Sequence, residues 1–125
     1  MSKKLREKVD SHEFTITTTK TPAEIQQASL RIAEGEKRTL GSSIKEVNAG
    51  PAQISYEVKG PGGVARLMAM ALNIHDEGAT RKVTFRVGDF KYSRPTMFMI
   101  PIGPATAPAM KTLQRFSSRL RTELA

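Results

Sequence analysis

The sequence predicts an α+β fold: an antiparallel sheet of about five or six strands, a short helix after the first strand, and a longer C-terminal helix packed on one face. Three observations carry this reading. Runs of alternating apolar and polar residues fill the middle of the chain, a Thr-Pro-Ala-Glu start signal stands near its beginning, and the period turns helical near its end. Helices at the two ends of an antiparallel run commonly share one face of the sheet.

Taken in order, residues 1–11 (MSKKLREKVDS) are expected to be a disordered basic leader, because Lys3, Lys4, Arg6 and Lys8 face only Glu7 among the first nine residues. Residues 12–125 then form a single domain. Phe14 to Thr19 alternates and is β-branched, so it reads as a strand. At Thr21-Pro22-Ala23-Glu24, Thr21 can cap, Pro22 suits the first helical position, and Glu24 can complete a capping box. This helix runs to about Glu34, stops at Gly35, and presents Ile25, Ala28, Ser29 and Ile32 on one face.

Ile44 and Val47 suggest a short edge strand after Gly41, within the stretch from Thr39, and Asn48 to Pro51 a turn. Ala52 to Lys59 alternates, with Ala52, Ile54, Tyr56 and Val58 on one side. After the turn Gly60-Pro61-Gly62-Gly63, the segment Val64 to His75 has helix-forming composition but alternates through Met68, Met70, Leu72 and Ile74. Its place between two turns, the second at Asp76-Glu77-Gly78, makes it a strand. Lys82 to Tyr92 is its hairpin partner, and the alternation breaks phase at Gly88, as a bulge would. Thr96 to Ile102 is expected to be one further extended piece, ended by Pro101 and Gly103-Pro104. From Pro108 to Leu124, a stripe of Met110, Leu113, Phe116, Ser117, Leu120 and Leu124 marks a helix that lids the sheet, with Thr106 or Ala107 in the cap region.

Composition limits what such a domain can do. The chain has 125 residues and no cysteine, which excludes disulfides and thiolate metal sites. Its N-terminus has no apolar run of signal-peptide type, and the longest apolar stretches, Val64 to Ile74 and Met97 to Ile102, are too short for a membrane span, so a cytoplasmic location is expected. The formal charge of +8 attracts nucleic acid, anionic membrane surfaces and acidic partners without specificity.

Candidate sites are sparse. His12 lies in the leader and His75 beside a turn, so neither joins an acid–base pair, and no His-x-x-x-His or carboxylate cluster supplies metal ligands. No catalytic residue, metal or cofactor is assigned. Gly60 to Gly63 lacks the following helix and the Lys or Ser/Thr spacing of a phosphate loop, and it reads as a turn. Methionines at 68, 70, 97, 99 and 110 are adaptable apolar material. A pocket lined by Tyr56, Met68, Met70, Leu72, Phe85 and Phe116 would suit a small hydrophobic ligand. Core packing and a dimer surface are the competing readings. Lys111, Arg115 and Arg119 recur every four residues as a basic patch toward phosphates, or simply as a solvated face. With 6% aromatic residues and no Trp, the chain has little material for base stacking.

The element order from Phe14 to Leu124 resembles the helix-grip fold of the START and polyketide-cyclase-like superfamily. Its final segment, MFMIPIGPATAPAMKTLQRFSSRLRTEL, is also similar to the ends of small uncharacterised actinobacterial proteins. The resemblance implies a curved sheet wrapped on the closing helix with a cavity between them. The expected function is therefore non-enzymatic binding of a small hydrophobic molecule in that cavity. The alternative is a basic interaction module for nucleic acid or anionic surfaces. A cyclase- or hydrolase-type enzyme has no convergent titratable pair to work with.

Overall fold

A computed structural model of the chain describes residues 3–36, 43–60, 63, 65–93, 96–101 and 106–125. The elements in chain order are α1 (Lys3–Asp10), β1 (Phe14–Thr18), α2 (Pro22–Gly35), β2 (Ser43–Ala49), β3 (Gln53–Lys59), β4 (Arg66–Asp76), β5 (Arg81–Phe90), β6 (Thr96–Met97), β7 (Ile100–Pro101) and α3 (Met110–Leu124). The fold class is α+β. Five antiparallel strands lie in the order β1-β5-β4-β3-β2, and β6 and β7 form a separate two-stranded ribbon.

The period-2 alternation sets which face is dry. Ile54, Tyr56 and Val58 of β3 stand beside Leu72, Met70 and Met68 of β4, and Leu72 in turn stands beside Phe85 of β5. All are buried, while Ser55, Ala71 and Arg86 between them face outward. Both long helices cover the dry face, α2 over β2 and α3 over β1, and they touch each other. Their buried stripes hold the expected residues, with Ala33 and Thr112 in addition. The two helices run 14 and 15 residues.

The capping box starts α2 as its residues dictate. The Thr21 hydroxyl accepts from the Glu24 N–H at 3.2 Å, and the Glu24 carboxylate accepts from the Thr21 N–H at 3.0 Å. These bonds from Thr21 hold the Glu24 carboxyl below the usual carboxylate range. By contrast, α3 opens at Ala109 with no side-chain cap, so its stability comes from the buried stripe. The bulge at Gly88 is present: Met70 pairs with Val87 and Met68 with Phe90, leaving Gly88 and Asp89 of β5 opposite Ala69 alone. A Cβ on Gly88 would sit 3.4 Å from that of Ala69.

Three expectations are corrected. The basic leader is not disordered over residues 3–10: it is helix α1, with Leu5 and Val9 buried. The reason lies at the far end of β5. Strand β1 pairs with β5 only as far as Phe85, so on that edge of β5 the backbone groups of Val87 and Gly88 have no strand partner. The N-terminal segment supplies one in side chains. Glu13 accepts from the Val87 N–H at 2.8 Å, and Arg6 donates to the Val87 and Gly88 carbonyls, each at 2.8 Å.

Second, Thr96 to Pro101 is not one extended piece but the ribbon β6–β7, with Thr96 paired to Pro101 and Met97 to Ile100. Phe98 and Met99 form its two-residue turn, with φ of 52° and 67°. Third, β2 continues through Asn48 and Ala49, which were expected in the turn, and it bulges at Val47. The expectations at Met1, Ser2, Thr39, Gly41, Pro61, Gly62, Val64, Ile102, Gly103 and Pro104 lie outside the described residues.

Candidate functional site: a cationic face and an apolar arm

The residues predicted to line a cavity do come together, in one buried apolar cluster. Tyr56, Met68, Met70, Leu72, Phe85 and Phe116 are all at most 3% exposed. The Phe116 ring of α3 meets Tyr56 edge-on at 5.4 Å and Phe85 at 6.0 Å, and Phe85 stacks on Phe14 at 5.5 Å. These rings pack against one another between the sheet and the closing helix. The Tyr56 hydroxyl donates to Ser29 Oγ at 2.5 Å. Burial pushes that phenol up to about 12, against the lowering effect of the Ser29 bond.

The predicted basic patch divides. Lys111 and Arg119 are exposed. The Arg115 Nε donates to both carboxylate oxygens of Glu36, at 3.0 and 3.2 Å, and Glu36 is 1% exposed. Arg115 therefore ties α3 to the end of α2. Arg119 lines an open groove of about 360 Å³ between the two helices with Arg31, Ser118, Thr122 and Glu123. Arg31 is bridged to Glu123 there. His75 is exposed at the end of β4, away from His12. Among the described residues no group of His, Asp and Glu could hold a metal ion.

A different cationic face is assembled where sequence reasoning placed a disordered leader. With Leu5 and Val9 buried, the helical period turns Lys3, Lys4 and Lys8 of α1 to solvent. Arg6, between the two faces, binds Asp10 at 2.9 Å as well as the β5 carbonyls. The last turns of α3 add Arg121, whose guanidinium lies 5.1 Å from the centre of the Phe14 ring. His12 reports how the two elements converge. Burial first, then the charges of Arg121 and Lys8, lower its imidazole below the ordinary histidine value. Ser117 of α3 also donates to the His12 carbonyl at 2.5 Å. The signal for α1 was present in the sequence: Leu5 and Val9 are four residues apart, the spacing of one helical face.

From α1 an aromatic path leads outward. The Arg6 guanidinium stands 5.5 Å from the Phe90 ring, which lies 6.3 Å from the ring of Tyr92. Ser93 then pairs with Thr106 through hydrogen bonds of 2.8 and 2.7 Å, closing the root from which the β6–β7 arm departs. The arm displays Met97, Phe98, Met99 and Ile100, which are 57%, 91%, 94% and 65% exposed. Contiguous exposed apolar side chains of this size are unusual on a monomeric surface.

Among the described residues no helix is long and apolar enough to cross a membrane. Comparison with protein-family models, with curated proteins and with solved structures gives no match.

Proposed function

We propose that this domain is a non-enzymatic, basic interaction module that docks on an anionic surface, and that the surface is a bilayer containing acidic lipids. One observation supports the reading above all. Lys3, Lys4 and Lys8 stand exposed on a helix whose opposite face is buried, so these charges are held in a fixed array, and Lys8 and Arg121 both act on His12. Each lysine or arginine close to an acidic leaflet contributes roughly 1 kcal/mol. Four together supply about 3–4 kcal/mol, enough for reversible attachment and weak enough to be released by salt. The excess of 20 basic over 12 acidic residues extends the attraction beyond the contact itself.

Nucleic acid is the less suitable anion. The outward positions of the central strands, Gln53, Ser55 and Glu57 on β3, Ala69, Ala71 and Asn73 on β4, and Thr84 and Arg86 on β5, include no aromatic ring for a base to stack on. A hydrophobic guest between sheet and α3 would require Tyr56, Phe85 and Phe116 to part.

The test is co-sedimentation with vesicles of phosphatidylglycerol and phosphatidylcholine at low and raised salt, beside a titration with duplex DNA. Binding to the acidic vesicles that weakens with salt is expected. The triple variant Lys3→Glu, Lys4→Glu, Lys8→Glu should bind at least about 100-fold more weakly, since it removes three favourable charges and adds three repulsive ones. Absence of binding at low salt, or tighter binding to DNA than to the vesicles, would contradict the reading.

A further inference from the structure

We infer that the β6–β7 arm is an apolar wedge that enters the headgroup zone of an acidic bilayer, with the cations of α1 holding the headgroups around its root. The inference rests on the docking role proposed above and names the part of the molecule that leaves water.

Charge complementarity identifies the occupant. The arm sequence Thr96-Met97-Phe98-Met99-Ile100-Pro101 carries no charge. Its root adjoins the cationic helix through Tyr92, Phe90 and Arg6. A bilayer surface is layered in the same sense, with anionic headgroups outside and hydrocarbon below. Length agrees as well. A strand advances about 3.3 Å per residue, so two-residue strands and their turn carry the tip roughly 7–10 Å beyond the Thr96–Pro101 pair. That is about the depth to which interfacial elements sink, and far short of the roughly 30 Å hydrocarbon core.

The turn points the same way. Two central residues at positive φ define the turn that Asn-Gly fills without strain. Here a phenylalanine and a methionine occupy it, at φ of 52° and 67°. The chain thus holds a strained backbone at the point that projects its two most exposed apolar side chains. Neither side chain has cover from the body of the protein, so the strain serves no packing within the fold. Methionine on either side of Phe98 suits the irregular boundary between headgroups and acyl chains.

The chain contains no Trp and no Cys, so single reporters can be placed without background. Phe98→Trp is combined with the same phosphatidylglycerol–phosphatidylcholine vesicles, with and without bromine on the acyl chains. The expected result is a blue-shifted emission on binding and strong quenching by the brominated lipid, with neither on pure phosphatidylcholine. Met99→Cys carrying an environment-sensitive dye checks the neighbouring side chain if the Trp variant folds poorly. The pair Phe98→Asp, Met99→Asp should bind acidic vesicles about 10- to 100-fold more weakly.

If the protein binds acidic vesicles but the reporter stays in water, or the Asp pair binds unchanged, the wedge is refuted and electrostatic docking stands. If nothing binds at low salt, the docking role fails and the wedge with it. A reporter already blue-shifted without lipid, in step with protein concentration, would assign the arm to a second copy of the chain and overturn the inference.

Discussion

The dry face of the sheet and the β6–β7 arm are made of the same residues and meet opposite fates. Met68, Met70, Phe85 and Phe116 are at most 3% exposed, whereas Met97, Phe98 and Met99 range from 57% to 94%. The first group is distributed over β4, β5 and α3, and long-range pairing brings it together under the closing helix. The second group is consecutive in sequence, so its side chains point in too many directions for one core to collect them. Enrichment in methionine and phenylalanine therefore identifies apolar surface. The spacing of those residues decides whether the fold or a partner covers it.

The difference can be broken first at the dry face. Phe116→Ala removes the ring that joins Tyr56 to Phe85 and leaves a void between sheet and α3. A loss of about 3–5 kcal/mol is expected in denaturant unfolding. A loss below about 1 kcal/mol would mean that the interior is loosely filled and has room for a guest.

Next in size is the tie between the two long helices. Arg115→Ala leaves Glu36, 1% exposed, with a buried carboxylate and no counter-charge. About 3 kcal/mol of stability should be lost in denaturant unfolding. An unchanged midpoint would show that solvent reaches Glu36.

On the arm, the double change Phe98→Asn, Met99→Gly gives the turn the residues its backbone prefers. Stability should stay level or rise by about 0.5–1 kcal/mol, while attachment to acidic vesicles falls. Stability and binding moving in the same direction would contradict the contrast between the two regions.

The smallest effect concerns His12, where the N-terminal segment meets α3. Its folded imidazole takes up a proton at lower pH than an ordinary histidine. Between the two values the unfolded chain binds more protons, so stability rises with pH through that window. Acidification from neutrality should thus lower the midpoint as pH falls through about 6.5, levelling off below the depressed folded value. His12→Gln should flatten this slope, and an equal slope in the variant would remove His12 as its cause.

Much of the fold was legible because it is written in local patterns. The alternation in Ala52 to Lys59 and Val64 to His75, the capping box at Thr21 and the phase break at Gly88 are each decided by neighbouring residues. The N-terminal helix was misread because the charge run outweighed the Leu5–Val9 pair. Its order depends on Val87 and Gly88, more than eighty residues away, whose edge β1 does not reach. The arm was misread because an apolar run with a closing proline looks extended, and nothing in Phe98-Met99 signals a positive-φ turn. At the site, the six apolar residues expected together do share one buried cluster, but spacing alone does not tell a filled core from a hollow one. Sequence reasoning also grouped Arg115 with Lys111 and Arg119, because helical periodicity does not reveal that Glu36 lies opposite.

The most direct test follows the methionine methyl groups by NMR in protein labelled at those methyls, with nanodiscs of acidic lipid added. The account predicts that the Met97 and Met99 signals shift and broaden while Met68 and Met70 stay in place. Lipid-induced change at Met68 or Met70, or silence at Met97 and Met99 when the protein is bound, would contradict it.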